Sequence, residues 1–128
     1  MPVNAELSRA VADRLFAAIE AGDQDAVARM WSPGIAVWHT GDEADLDRDR
    51  ALKVIRWFIR STTARSYEIL DRRYFDGGFV QQHVLRASGA DGASIAMRVC
   101  IVISIDADGS IVRIDEYFDP ADLTPLLT

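Results

Sequence analysis

The apolar positions in the first forty residues follow a helical period. One set recurs every four residues: Leu7, Val11, Leu15 and Ile19. This spacing predicts a helix that begins after Asn4 as its N-cap and ends at Gly22. A second, shorter helix is predicted to start at Asp23 and to be broken by the run SPG at 32–34. Its apolar residues are Ala26, Val27, Met30 and Trp31.

The middle of the chain predicts a short strand and a third helix. The strand is the run IAVWHT at 35–40, and an acidic loop, GDEADLDRDR at 41–50, follows it. The helix covers residues 49–61 and turns one apolar face towards the interior. That face carries Leu52, Ile55, Phe58 and Ile59.

The second half of the chain alternates apolar and polar residues with the period of a strand. Turn residues at 76–78 and 106–109 separate runs such as FVQQHVLRAS and IAMRVCIVISI. The pattern predicts a four-stranded antiparallel meander after three helices, with the short strand near residue 36 as a fifth. Helices must then cover one face of a curved sheet, which makes the fold class α+β.

Glu116 is the one charge on the apolar face predicted for the last two strands. Its neighbours on that face are Val99, Ile101, Ile103, Val112, Ile114 and Phe118. A two-residue loop would place Glu116 opposite Ile101 and a four-residue loop opposite Val99, so both registers give the same face. The carboxylate either reaches the rim of the sheet, in water or beside an arginine, or lines a cavity. In a cavity its pKa would rise, and it could act as an acid or base near neutral pH.

Two histidines are the other candidates for acid–base chemistry. His83 and Gln81 share a face of one strand, but the parity of the connection at 86–93 leaves open whether that face carries Glu116. His39 ends the short strand, between Trp38 and Thr40. No His-x-x-x-His spacing or glycine-rich phosphate loop occurs, so we predict no metal and no cofactor. The acids at 42–49 are interpreted as a solvated loop and helix start.

Composition excludes several classes of function. The 128 residues carry a net charge of −6 and a pI near 4.8, which argues against nucleic acid or an anionic membrane as a partner. One cysteine excludes an internal disulfide. Neither a signal peptide nor a long apolar stretch is recognisable, and we therefore expect one cytoplasmic domain over residues 1–128.

The order of these patterns resembles a known family. The run AGDQDAVARMWSPGIAVWHT and the ending DGSIVRIDEYFDPADL are similar to the SnoaL-like and ketosteroid-isomerase-like branch of the nuclear transport factor 2 superfamily. The resemblance spans essentially the whole chain. It implies a cone of bent, mostly antiparallel sheet whose helices enclose a deep apolar pocket, and a scaffold that hosts isomerases, cyclases, dehydratases, epoxide hydrolases and binding proteins.

Two alignments within this resemblance assign roles to residues. Against ketosteroid isomerases, His39 stands at the general base, while Leu15 and Ile101 replace the two oxyanion-hole donors. Against limonene epoxide hydrolases, the ending EYFD matches their DYFD and places Glu116 at a catalytic aspartate. The segment QQHVLR then places Gln81 at an arginine and His83 at a second aspartate, which implies that His83 faces the pocket.

The sequence therefore predicts a cofactor-independent enzyme for a small apolar steroid-, terpenoid- or polyketide-like substrate. Its predicted catalytic residues are Glu116, His83 and His39. Predicted substrate contacts are Gln81, Trp38, Thr40, Ile101, Ile114, Phe118 and Phe58. The alternative is a binding module of the same fold without chemistry. The mixed outer face of the last strands, with Val102, Arg113 and Tyr117, further predicts a two-fold homodimer through the sheet.

Overall fold

The helices begin where a side chain can bond the free N–H groups of the first turn. The computed structural model describes residues 4–127 and contains α1 (Ala5–Ala21), α2 (Gln24–Met30) and α3 (Arg48–Arg60). Asn4 accepts a hydrogen bond from the N–H of Leu7 at 2.9 Å, and Asp23 caps α2 in the same way. Gly22 ends α1 with a φ of 71°. The three predicted helices and these caps are confirmed.

Five strands form one curled, unclosed sheet. They are β1 (Trp31–His39), β2 (Ala64–Phe75), β3 (Gly78–Ser88), β4 (Ser94–Ile105) and β5 (Ile111–Tyr117). Their order is β1-β5-β4-β3-β2; β2 to β5 form the predicted antiparallel meander, and β1 runs parallel to β5. The α+β class is confirmed.

The first strand is longer than the sequence indicates. Trp31 begins β1 instead of ending α2, and the register with β5 is irregular between Trp31 and Ala36. The SPG run therefore lies inside this irregular stretch of strand. A short 3₁₀ helix, Pro120–Leu126, follows β5.

The hairpin from β4 to β5 departs from both predicted loops. Asp106 donates its N–H to the carbonyl of Ser110 at 3.0 Å, which leaves three residues in the loop and shifts the side-chain parity by one. An irregularity in the ladder after Ser104 shifts it back, so Glu116 still lies opposite Ile101. One prediction is wrong as a result: Ile111, which is fully buried, occupies the core position expected for Val112.

Arg65 fixes α1 and α3 over the concave face of the sheet. Its Nε donates to the carbonyl of Ile19 at 2.8 Å, and its Nη1 donates to the carbonyls of Ile59 and Thr62 at 3.2 and 3.0 Å. These acceptors lie in and just after the last turns of the two helices, where backbone carbonyls lack helical partners. The side chain thus joins both helix ends to β2 and sets the walls of the space between helices and sheet.

Candidate active site

A cavity of about 290 Å³ lies between the helices and the concave face of the sheet. Most of its wall is apolar, with side chains from α1, α3, β4 and the C-terminal 3₁₀ helix. Among these are Leu15, Ile19, Phe58, Met97 and Leu123. The polar groups in the wall are few, which is the composition of a site for a small organic molecule.

Glu116 brings a carboxyl group into this cavity without a partner. Within residues 4–127, nothing donates a hydrogen bond to its side-chain oxygens; its backbone carbonyl accepts from the N–H and the hydroxyl of Thr40 at 3.0 and 3.4 Å. The residue is half-buried, and its accessible surface borders the cavity. Burial raises the pKa of Glu116, and the nearby His39 opposes this only in part. The carboxyl can therefore hold a proton at a higher pH than an exposed glutamate.

His39 is the titratable neighbour of Glu116. The two residues are directly paired on the parallel strands β1 and β5, and both line the cavity. Nδ1 of His39 lies 2.9 Å from a carboxylate oxygen of Asp42, which also accepts the backbone N–H of His39 at 2.9 Å. A carboxylate only accepts, so Nδ1 carries the proton and a neutral His39 keeps its Nε2 lone pair free.

Tyr67 is a third polar group in the wall. Its hydroxyl has no hydrogen-bond partner among the described residues, and its ring packs against Phe16 and His83 with centroid distances of 4.8 and 4.9 Å. Burial, followed by the charges of Glu116 and Glu20, raises the pKa of the phenol. The hydroxyl is therefore a hydrogen-bond donor at any physiological pH.

The structure brings most of the predicted site residues to the cavity. Besides Glu116 and His39, the lining includes five predicted substrate contacts: Thr40, Ile101, Ile114, Phe118 and Phe58. Three predicted residues are not part of the lining: Trp38, Gln81 and His83.

Trp38 lies on the opposite face of the sheet because strand side chains alternate. Its neighbours Val37 and His39 face the cavity, so its indole ring turns outward and packs on Tyr117, 5.2 Å between ring centroids. The indole N–H donates to the carbonyl of Asp42 at 2.9 Å. This contact supports the turn that presents Asp42 to His39.

Gln81 and His83 belong to a separate, internally bonded set of polar side chains. Nε2 of Gln81 lies 2.8 Å from Nδ1 of His83, and Oε1 of Gln81 accepts from Nε of Arg72 at 2.7 Å. Arg72 in turn bonds Asp13 at 2.8 Å on the surface. His83 pairs with Val99 in the sheet and so faces inward, as the resemblance implied, but it is 1% exposed and touches two cavity-lining rings, Phe16 and Tyr67.

The register separates Glu116 from His83. Glu116 on β5 pairs with Ile101 on β4, and Ile101 pairs with Gln81 on β3. Glu116 and Gln81 are therefore two strand spacings apart, roughly 10 Å, with Ile101 between them, and His83 lies two residues further along β3, opposite Val99. The histidine that adjoins Glu116 is therefore His39.

Sequence reasoning missed Asp42 and Tyr67. Asp42 sits in an acidic run that the sequence indicates to be solvated, although its spacing of three residues from His39 was a usable signal for a turn contact. Tyr67 is one of several inward-facing residues of β2, and nothing in its local sequence distinguishes it. Among residues 4–127 no group of three or more histidine, cysteine, aspartate or glutamate side chains is placed to hold a metal ion. No helix in that range is both long and apolar enough to cross a membrane.

Comparisons with known proteins agree with this architecture. The family described as SnoaL-like domain matches residues 12–114. A search of the curated proteins finds no match.

Solved structures with the same fold are distant in sequence. PrhC from Penicillium brasilianum superposes with a TM-score of 0.82 at 14% identity, covering 95% of this chain and 86% of that one. An LEH-like epoxide hydrolase from M. tuberculosis gives 0.75 at 19% identity, covering 95% and 90%. SalBIII, an epoxide hydrolase/cyclase-like enzyme with a role in pyran ring formation in the polyether salinomycin, gives 0.76 at 13% identity, covering 93% and 95%. At these identities the likeness establishes the fold.

Proposed function

Because the chain belongs to the SnoaL-like domain family, we propose that it is a cofactor-independent enzyme that moves protons on a small, largely apolar, oxygenated substrate. The observation that supports this most directly is the carboxyl of Glu116, which lines a largely apolar cavity, has no hydrogen-bond partner among the described residues and lies beside His39. A buried carboxyl without a partner destabilises the fold when it ionises. A site that binds by apolar contact alone would not need it.

Glu116 and His39 have complementary roles in this proposal. His39, oriented by Asp42, accepts a proton from water or from the substrate at Nε2. Glu116, whose pKa is raised by burial, donates a proton to the substrate. A carboxylic acid and an imidazole that are adjacent in one site can serve as the acid and the base of a proton-transfer reaction. Epoxide opening, ring closure, dehydration and isomerisation all use this pair of steps.

Cavity size sets the scale of the substrate. The volume of about 290 Å³ is near the lower limit for small-molecule sites. At about 30 Å³ per water molecule it corresponds to roughly ten waters, and hence to a ligand of about ten non-hydrogen atoms. This favours a terpenoid or short polyketide fragment over a four-ring steroid.

The test measures turnover and stability in the same variants. Wild type, Glu116→Gln and the control Glu68→Gln are assayed by gas chromatography on a panel of cyclic epoxides and unsaturated cyclic ketones. Glu68 is exposed and paired with Arg86 on the outer face, so its substitution should leave turnover unchanged. Glu116→Gln should lower turnover by about 10²- to 10⁴-fold.

The same Glu116→Gln substitution should raise the free energy of unfolding at neutral pH. Because folding raises the pKa of this carboxyl, ionisation disfavours the folded state, by about 1.4 kcal/mol for each unit of elevation. The increase in the free energy of unfolding should be complete above the pKa of Glu116 in the folded protein, and it should vanish as the pH falls to about 4.5. Undiminished turnover in Glu116→Gln would refute the catalytic role. Tight binding of panel compounds by the wild type without any turnover would instead support the binding module.

A further inference from the structure

The hydroxyl of Tyr67 also belongs to the cavity wall, but the proposed proton transfer by Glu116 and His39 does not use it. Tyr67 on β2 pairs with Leu85 on β3, and Leu85 pairs with Met97 on β4; all three line the cavity. This shared row fixes the tyrosine side chain on the concave face. Glu116 is on β5, three strands away from β2 in the sheet, so the two polar groups belong to different strands of the cavity wall.

The ring of Tyr67 is held in place from several sides. Phe16 of α1 packs against it with an interplanar angle of 57°, and His83 of β3 meets it edge-on at 86°. Its backbone N–H donates to a carboxylate oxygen of Glu20 at 3.0 Å. A donor fixed in this way needs no reorganisation when it bonds an acceptor.

An unpartnered donor in an apolar wall discriminates between ligands. A hydrocarbon that fills the cavity removes water from the hydroxyl and offers it no acceptor, whereas an oxygenated ligand satisfies it. Leu15 and Ile101, which line the same cavity, cannot donate. Tyr67 is thus the hydroxyl in this wall that remains unbonded among the described residues.

We infer that Tyr67 is a specificity-determining residue that donates a hydrogen bond to a carbonyl, ether or epoxide oxygen of the substrate, three strands away from Glu116 in the cavity wall. The inference rests on the proposed function and adds to it a chemical requirement. The substrate carries an oxygen acceptor at a distance from the atom at which Glu116 and His39 move a proton.

Two probes with one carbon skeleton test this requirement: carvone, which has a ring carbonyl, and limonene, which lacks it. Binding is measured by calorimetry on the full chain for wild type, Tyr67→Phe and the control Tyr74→Phe. Tyr74 is on the same strand, bonds Arg72 and does not line the cavity. Tyr67→Phe should weaken carvone binding about three- to tenfold and leave limonene binding within about twofold. Tyr74→Phe should change neither.

An infrared measurement distinguishes a hydrogen bond from a change in cavity shape. The carbonyl stretch of bound carvone should lie at lower frequency in wild type than in Tyr67→Phe, because a donated hydrogen bond weakens the C=O bond. Equal stretching frequencies, an unchanged affinity for carvone in Tyr67→Phe, or a wild type that binds limonene as tightly as carvone would each overturn the inference. None of these results depends on turnover, so the role of Glu116 stands or fails separately, by the activity of Glu116→Gln.

Discussion

Acid should destabilise this protein through a buried side chain, His83, and the structure gives the size of the effect. The imidazole is 1% exposed and accepts a hydrogen bond at Nδ1 from the amide of Gln81. The amide orientation is fixed because its oxygen accepts from Arg72 at 2.7 Å. Phe16 and Tyr67 cover the ring. Protonation would add a charge here with no acceptor for Nδ1–H.

Burial, reinforced by the charge of Arg72, lowers the pKa of His83 to about 4 from 6.5 in the unfolded chain. The folded state therefore binds fewer protons than the unfolded state between these two pH values, and stability rises with pH there. The contribution of neutral His83 to the free energy of unfolding is fully present above pH 6.5 and is lost as the pH falls to about 4. At about 1.4 kcal/mol per pKa unit it amounts to about 3 kcal/mol, a large share of a typical domain's 5–15 kcal/mol.

The comparison that isolates this effect uses His83→Asn, which offers an acceptor near the Nδ1 position and does not titrate. Urea unfolding from about pH 8 to pH 4 gives the free energy of unfolding of wild type, His83→Asn and a control, Ile103→Val. Ile103 is fully buried and lies elsewhere in the sheet, and its change should cost about 0.5–1.5 kcal/mol at every pH. The difference in the free energy of unfolding between wild type and His83→Asn should decrease by about 3 kcal/mol as the pH falls from 8 to 4. A gap that stays constant would refute the reasoning.

Two further predictions concern the frame of the molecule. Arg65→Met should lower the free energy of unfolding by about 2–4 kcal/mol because it removes the hydrogen bonds that join β2 to the last turns of α1 and α3. Arg73→Met, at an exposed ion pair, should cost less than about 1 kcal/mol in the same denaturation assay. We also propose a two-fold homodimer through the outer sheet face, where Tyr117 is 48% exposed. The double variant with Val102→Asp and Tyr117→Asp should then sediment as a monomer. A wild-type protein that is monomeric at micromolar concentration would contradict the proposal.

The elements of the fold could be predicted because their signals are local. Asn4 and Gly22 bound α1 through contacts within one turn of the chain, and alternation in β3 and β4 reports one buried face. The β4–β5 hairpin shows the limit of such reasoning. Its three-residue loop and the ladder irregularity after Ser104 shift parity in opposite directions. The prediction for Glu116 therefore survived, while Ile111 took the core position expected for Val112.

The composition of the site depends on contacts that local patterns do not encode. The parallel pairing of β1 with β5 sets His39 beside Glu116 across more than seventy residues of chain. The alignment with limonene epoxide hydrolases placed His83 at the second catalytic position beside Glu116. Such a match assigns positions along a strand, but it does not show which side chains lie between two strands. Asp42 was missed for a related reason. The composition of the acidic run predicts a solvated loop and does not show that one of its carboxylates contacts His39.

The polar side chains around His83 differ in their hydrogen bonding from Glu116 and Tyr67 in the cavity wall. Asp13, Arg72, Gln81 and His83 form a chain in which each member bonds the next, so the buried amide has its partners inside the protein. Glu116 and Tyr67 are half-buried and line the cavity, and neither side chain has a hydrogen-bond partner within residues 4–127. Neither side chain contributes a hydrogen bond to the stability of the fold. A substrate with a proton to exchange and an oxygen to offer would satisfy both.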